Sequence, residues 1–236
     1  LEKGVEDSAD FRSFDFIMRY IQLLCFFGAF QSVLAQQAFV PKHSFNLEVA
    51  LPNSMTNGAF QDNLQGLVNV APFYQYALKN GLAFGLGVRY GYFTVNEFRV
   101  PQPVSGGLHM ASAFIKTGWE KFHTERFGTD LSIKVGYTQN YFLTDRNDTL
   151  GINPQQVNTW YVEPTVGFIL TADEVTSYRL FLGYGFQGFD YHPDQLGLTA
   201  VGGYTPEELD KMSTYLLVGF GFTYYFRPKS ERGGDL

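Results

Sequence analysis

The chain has 236 residues, with 17 Lys+Arg against 23 Asp+Glu, one cysteine, and 17% aromatic residues against 17% charged. About 25% charged residues is usual in soluble proteins. The 25 Gly, 24 Phe and 15 Tyr describe an aromatic- and glycine-rich β composition, whereas a disordered chain would be short of aromatics. A mean hydropathy of −0.11 and one sustained apolar run exclude a helical membrane bundle, and a net charge of −6 offers no basic patch for nucleic acid.

The apolar run is Tyr20–Ala35. Read from Met18, it has a basic residue (Arg19), an apolar core, and Val33 and Ala35 at the −3 and −1 places of a signal-peptidase site. The expectation is a signal peptide starting at Met18 and cleaved after Ala35, preceded by an acidic upstream extension. A single membrane anchor is the alternative, but sixteen residues with two glutamines is short for a span. Cleavage removes Cys25, so neither a disulfide scaffold nor thiolate chemistry is open to the mature chain.

Past Gln36, eight stretches alternate apolar with small or polar residues: Ser44–Pro52, Leu64–Leu78, Leu82–Val95, Leu108–Lys121, Phe127–Thr144, Val157–Thr171, Tyr178–Tyr191 and Thr214–Phe226. In the third, Leu82, Phe84, Leu86, Val88, Tyr90 and Tyr92 alternate with Ala83, Gly85, Gly87, Arg89 and Gly91. Period two marks a strand with two unlike faces, and no helical period competes with it. Connections alternate between short (Lys79–Gly81, Phe122–Arg126, Ala172–Ser177) and long, each of the latter eleven residues or more. Transmembrane barrels have this asymmetry, with short periplasmic turns and longer external loops. The predicted fold is therefore all-β: an eight-stranded antiparallel up-and-down transmembrane β-barrel over residues 36–226, with both ends periplasmic and 227–236 as a periplasmic tail.

Period two does not say which face points outward, and a lipocalin-like soluble barrel also has eight strands. A glycine-dominated second face suits a narrow lumen better than a soluble surface. Trp119 beside a short turn and Trp160 just after a long loop look like one anchor in each interfacial girdle. Phe226, ending the last strand, resembles the terminal aromatic by which outer-membrane barrels are recognised for insertion. Pro72 and Pro164 lie inside strands, where they cannot donate ladder hydrogen bonds, and a local bulge is expected at each.

In this register Glu48, Arg89, Lys116, Glu120, Lys134, Glu163 and Arg179 point into the lumen. The expectation is a salt-bridged plug, with an ion gate or an acid–base site as the functional alternative. Arg89 and Arg179 are expected at similar height, with Glu163 as a partner for one of them. Of the four histidines, His109 and Ser112 have the wrong spacing for a lipid-deacylating His/Ser pair and fall on opposite faces. His123 lies in a short turn and His192 at a loop start, and no metal, phosphate-loop or nucleophile-elbow pattern stands in a usable context. No catalytic, cofactor or metal residue is assigned.

Leu64 to Phe226 resembles the small eight-stranded outer-membrane barrels, the OmpA/OmpX-like group and the porin-like families common in Bacteroidota. The resemblance rests on architecture and the terminal aromatic rather than on a residue motif. It implies a non-enzymatic, cofactor-free outer-membrane protein whose four external loops act in membrane structure, adhesion, or as an accessory to a secretion or assembly system such as the PorT-like group. Its implied partners are outer-membrane lipid, the barrel-assembly machinery, and a secretion-system component or surface ligand. The alternatives are a small-solute channel and, third, a lipid-modifying barrel enzyme.

Overall fold

A computed structural model describes residues 42–100, 104–151, 155–198 and 203–226. The signal peptide, its cleavage site and the tail therefore lie outside the described residues. Eight strands form one closed antiparallel barrel in sequence order: β1 (Lys42–Ser54), β2 (Leu64–Ala77), β3 (Leu82–Val95), β4 (Gly106–Phe122), β5 (Phe127–Thr144), β6 (Gln155–Thr171), β7 (Thr176–Asp190) and β8 (Met212–Phe226). Closure is made by β8 on β1, from His43↔Phe226 to Ser54↔Tyr215, so no edge strand is left open. Three short pieces sit in the long loops: helices α1 (Gly58–Asn63), α2 (Asp145–Thr149) and α3 (Pro206–Leu209), with a 3₁₀ turn at Pro193–Leu196.

The alternation in the sequence becomes alternation of faces. Leu86 (65% exposed), Ile115 (63%) and Phe220 (61%) lie on an outward belt of large apolar side chains that runs round all eight strands. A soluble protein rarely exposes a contiguous apolar patch beyond a few hundred Å². Strands of 13–18 residues also exceed the roughly 9–11 that a tilted membrane strand needs. The barrel is a transmembrane one, with its apolar face outward.

Glycine supplies two local needs. In the tight turn after β2, Gly81 adopts φ 87° and its N–H donates to the Leu78 carbonyl at 3.0 Å, a conformation that side-chain-bearing residues avoid. Inside the wall, a Cβ on Gly87 would stand 2.4 Å from Phe73 Cβ and 2.6 Å from the Pro72 carbonyl. The bare backbone there makes room for the Phe73 and Phe114 rings, which meet edge-on at 5.9 Å.

The prolines correct the expectation of a bulge. Pro72 stays in register with Leu47, and the β2–β3 pairs on either side, Val70↔Tyr90 and Phe73↔Gly87, keep one offset. Pro164 likewise pairs in register with Ile133. Both rings point outward, and the ladder lapses briefly on one side only, against β3 and against β7. Losing a donor opens one ladder step locally without adding a residue to the strand. The register shifts lie elsewhere, between Gly66 and Val68 and between Phe186 and Asp190, both towards the long-loop end.

Candidate functional site

All seven charged residues assigned to the lumen face inward, and an eighth, Asp130, joins them. None is more than 3% exposed. The missing acid had a signal: Asp130 shares strand parity with Lys134 on β5, so the same alternation places it inside. With it the set balances, four acids against four bases, as charges removed from water must.

The eight form two linked clusters. In the first, Glu163 bridges two cations: Arg89 Nη1 donates to its Oε2 at 2.8 Å and Lys134 Nζ to its Oε1 at 2.8 Å. Lys134 Nζ also reaches Glu48 Oε2 at 2.5 Å. Arg89 donates further to Tyr215 Oη at 2.5 Å and Ser112 Oγ at 3.2 Å, and its guanidinium lies 3.9 Å from the Tyr161 ring centroid. In the second cluster, Arg179 donates to Glu120 at 2.6 Å and to Asp130 at 2.9 Å, while Lys116 Nζ donates to Asp130 at 3.2 Å and Gln75 at 2.8 Å. A longer contact, Arg179 to Glu48 at 3.7 Å, joins them. Glu163 thus partners Arg89, while Arg179 belongs to the other cluster. Equal distances from the short turns do not give equal partners, because the stagger of a closed barrel displaces strands along the axis.

Above the charges, at the long-loop end, lies an apolar cap that strand patterning did not reveal. Phe60 on α1, Phe93, Phe142, Tyr191, Leu196 and Leu198 are all buried in one cluster. Asn57 fixes it in place. Its φ of 60° sits in the left-handed region that Asn tolerates, and its Oδ1 accepts from the Phe60 N–H at 3.0 Å. Its Nδ2 donates to the Tyr191, Leu209 and Lys211 carbonyls, tying α1 to the last long loop. Thr144 Oγ1 donating to the Leu196 carbonyl and Asn147 Nδ2 donating to that of Gln195 attach the same loop to β5 and α2. Part of the cap lies in loops whose sequence has no period, where apolar Phe60, Leu196 and Leu198 amid polar residues hint at it; the rest is Phe93, Phe142, Tyr215 and Leu217, apolar residues on the lumen face of the strands.

Burial raises the Tyr191 phenol well above its ordinary value, and the half-exposed Tyr204, desolvated beside Asp62, is pushed up to about 12. The Thr205 N–H and hydroxyl, both donating to Glu208, hold that carboxyl below its usual range at the start of α3.

The histidines are dispersed. His109 faces outward with Nδ1 bonded to Tyr90 Oη at 2.7 Å, whereas Ser112 faces the lumen and donates to or accepts from Thr138 at 2.8 Å. His43 pairs with Tyr74 at the short-turn end, and His123 with Thr129 at 3.0 Å. Beside His192, Tyr191 is fully buried in the cap. Among the described residues no three His, Cys, Asp or Glu side chains gather as a metal site. Trp119 and Trp160 both face outward, 43% and 49% exposed, and Phe226 ends β8 opposite His43.

No family model matches the sequence, and no curated protein does either. Solved structures do. A major outer membrane protein from Thermus thermophilus is 13% identical with a TM-score of 0.50, covering 79% of this chain and 100% of that one. Neisserial surface protein A is 9% identical with a TM-score of 0.49, covering 78% and 97%. Ail, the attachment invasion locus protein of Yersinia pestis, is 11% identical with a TM-score of 0.47, covering 79% and 99%. The chain has the fold of the small eight-stranded outer-membrane β-barrels.

Proposed function

We propose that the protein is a closed, non-enzymatic outer-membrane barrel that works through its long-loop end, as a membrane-embedded scaffold for contacts outside the cell or within the membrane. The filled lumen carries this reading. Eight mutually neutralising charges occupy the middle of the barrel, and an apolar cap built by α1 and the last long loop lies over them. A channel would need a continuous wet path where these side chains are packed. A lipid-modifying enzyme of the His/Ser kind would need His109 and Ser112 on one face, and they lie on opposite faces. In this reading Trp119 and Trp160 anchor the two interfaces and Phe226 engages the assembly machinery, while the long loops carry adhesion or accessory contacts. Outer-membrane fractionation with heat-modifiable gel migration, followed by protease shaving of whole cells, tests it. Cuts confined to the long loops are expected; recovery as a soluble periplasmic species would overturn it.

A further inference from the structure

The outward wall changes character on one side of the barrel near the long loops. Three successive ladder rows cross β3 to β6 there. The outermost runs Tyr92↔His109↔Tyr141↔Gln156, and the next Tyr90↔Ala111↔Gln139↔Asn158. The third ends in Ala113↔Tyr137↔Trp160. At a comparable depth from the strand ends on β8, β1 and β2, the outward residues are Leu216, Leu51 and Leu67, while β7 carries the ring pair Tyr184 and Phe186 without an amide. Exposed rings thus continue onto β7, as in an interfacial girdle; what is local to the β3–β6 wall is the mixture of rings with amides.

Its chemistry is specific. Ala111 and Ala113 leave a shallow floor between the taller rings of Tyr90 and His109 on one side and Tyr137 and Trp160 on the other. Polar heads are tied along the wall: Tyr90 to His109 at 2.7 Å, Tyr141 to Gln139 Oε1 at 2.9 Å, and Gln156 Nε2 to Asn158 Oδ1 at 2.8 Å. These bonds hold the amides by their oxygens and leave the Gln139 and Asn158 NH₂ groups as donors on an exposed surface. The Tyr92 and His109 rings lie 4.6 Å apart, Tyr137 is 53% exposed and Trp160 49%. No Asp, Glu, Lys or Arg stands in the three rows.

That composition selects its occupant. Without Lys or Arg the wall offers a phosphate or sulfate no charge-assisted partner. Hydrocarbon is a poor match as well, since amides facing acyl chains lose hydrogen bonds to water without replacement. A neutral sugar fits: its C–H faces pack on aromatic rings while its hydroxyls accept from the amide NH₂ groups. Directly below, the next row is Leu86↔Ile115↔Val135↔Val162, wholly apolar. Sugar-binding chemistry and acyl-chain chemistry are thus stacked in the order in which a glycolipid presents them.

We infer that the β3–β6 wall near the long loops is a docking site for the uncharged sugar headgroup of a membrane glycolipid, whose acyl chains lie on the apolar belt beneath. The inference extends the outer-membrane reading and rests on it for the bilayer alone. Trp160 supplies the readout once Trp119→Phe removes the other indole. That protein is placed in phosphatidylcholine nanodiscs carrying increasing digalactosyl diacylglycerol, and heat-modifiable migration checks the barrel independently. A saturating shift of Trp160 emission is expected with the galactolipid, absent with diacylglycerol or phosphatidylglycerol at the same mole fraction. Gln139→Ala with Asn158→Ala is expected to weaken it at least tenfold with the barrel intact. Should that pair fail to fold, Ala111→Leu fills the floor without removing a polar group and is expected to weaken it likewise. An emission response no different from diacylglycerol overturns the site. An equal response to phosphatidylglycerol overturns the neutral-sugar assignment, and an equal response to free galactose overturns the membrane glycolipid as its source.

Discussion

Replacing Glu163 by alanine probes the plug at its most connected point. The carboxylate is 1% exposed and holds Arg89 and Lys134, each at 2.8 Å. Removing one member of a buried pair costs about 3–5 kcal/mol, because the opposite charge stays buried. Two cations lose a partner here: Lys134 keeps the Glu48 carboxylate, whereas Arg89 keeps only the neutral hydroxyls of Tyr215 and Ser112. The ordinary range, about 3–5 kcal/mol, is therefore expected. With a urea dependence of about 1–3 kcal/mol per molar, the unfolding midpoint in detergent or lipid should fall by about 1–5 M. Glu163→Gln keeps an acceptor oxygen and should lose less. Asp148→Ala, on exposed α2, should stay within about 0.5 kcal/mol of the parent. If Glu163→Ala moves the midpoint no further than Asp148→Ala, water screens the lumen charges and the plug account fails.

Three further outcomes follow from the same structure. Phe60→Ala removes a fully buried ring from the cap and is expected to cost about 3–5 kcal/mol, read as a lower urea midpoint and faster protease cutting at the long loops. Gly87→Ala drives a methyl group against Phe73 Cβ and the Pro72 carbonyl; the folded, heat-modifiable band should decline sharply after refolding, whereas Ala111→Gly, outward on the neighbouring strand, should leave it nearly unchanged. The Glu208 carboxyl is held low by Thr205, so its contribution to the α3 turn is present above the ordinary carboxylate value and lost as pH falls through the depressed one; protease cutting near α3 should rise on acidification in the parent and be pH-independent in Glu208→Gln.

The strands were legible because each has one face against lipid and one against the lumen, and that difference writes period two into Leu82–Tyr92 and Val218–Tyr224, broken towards the long loops where Phe93, Val95, Tyr215 and Leu217 turn inward as part of the cap. Burial of Glu48, Lys134 and Arg179 follows from parity once the register is known, and Asp130 obeys the same rule. Partnership does not: Glu163 could be paired with Arg89 rather than Arg179 only when the stagger between strands was fixed, and stagger is a property of closure around all eight strands. The prolines misled for a related reason. A missing donor suggests a bulge in an isolated pair, but Pro72 and Pro164 are each held in register by their other neighbour, Leu47 and Ile133. The loop part of the cap was hidden because loops carry no period, and its organiser, Asn57, acts through three backbone carbonyls that lie far from it in sequence.

Planar-bilayer recording of the pure, heat-modifiable protein tests the closed barrel most directly. The account expects a silent bilayer at moderate voltage, because the charges of Glu48, Glu120, Asp130 and Glu163 are engaged by Arg89, Lys116, Lys134 and Arg179 beneath an apolar cap. Steady ion conductance that rises with the amount of folded protein, and that Glu163→Ala alters, would contradict it.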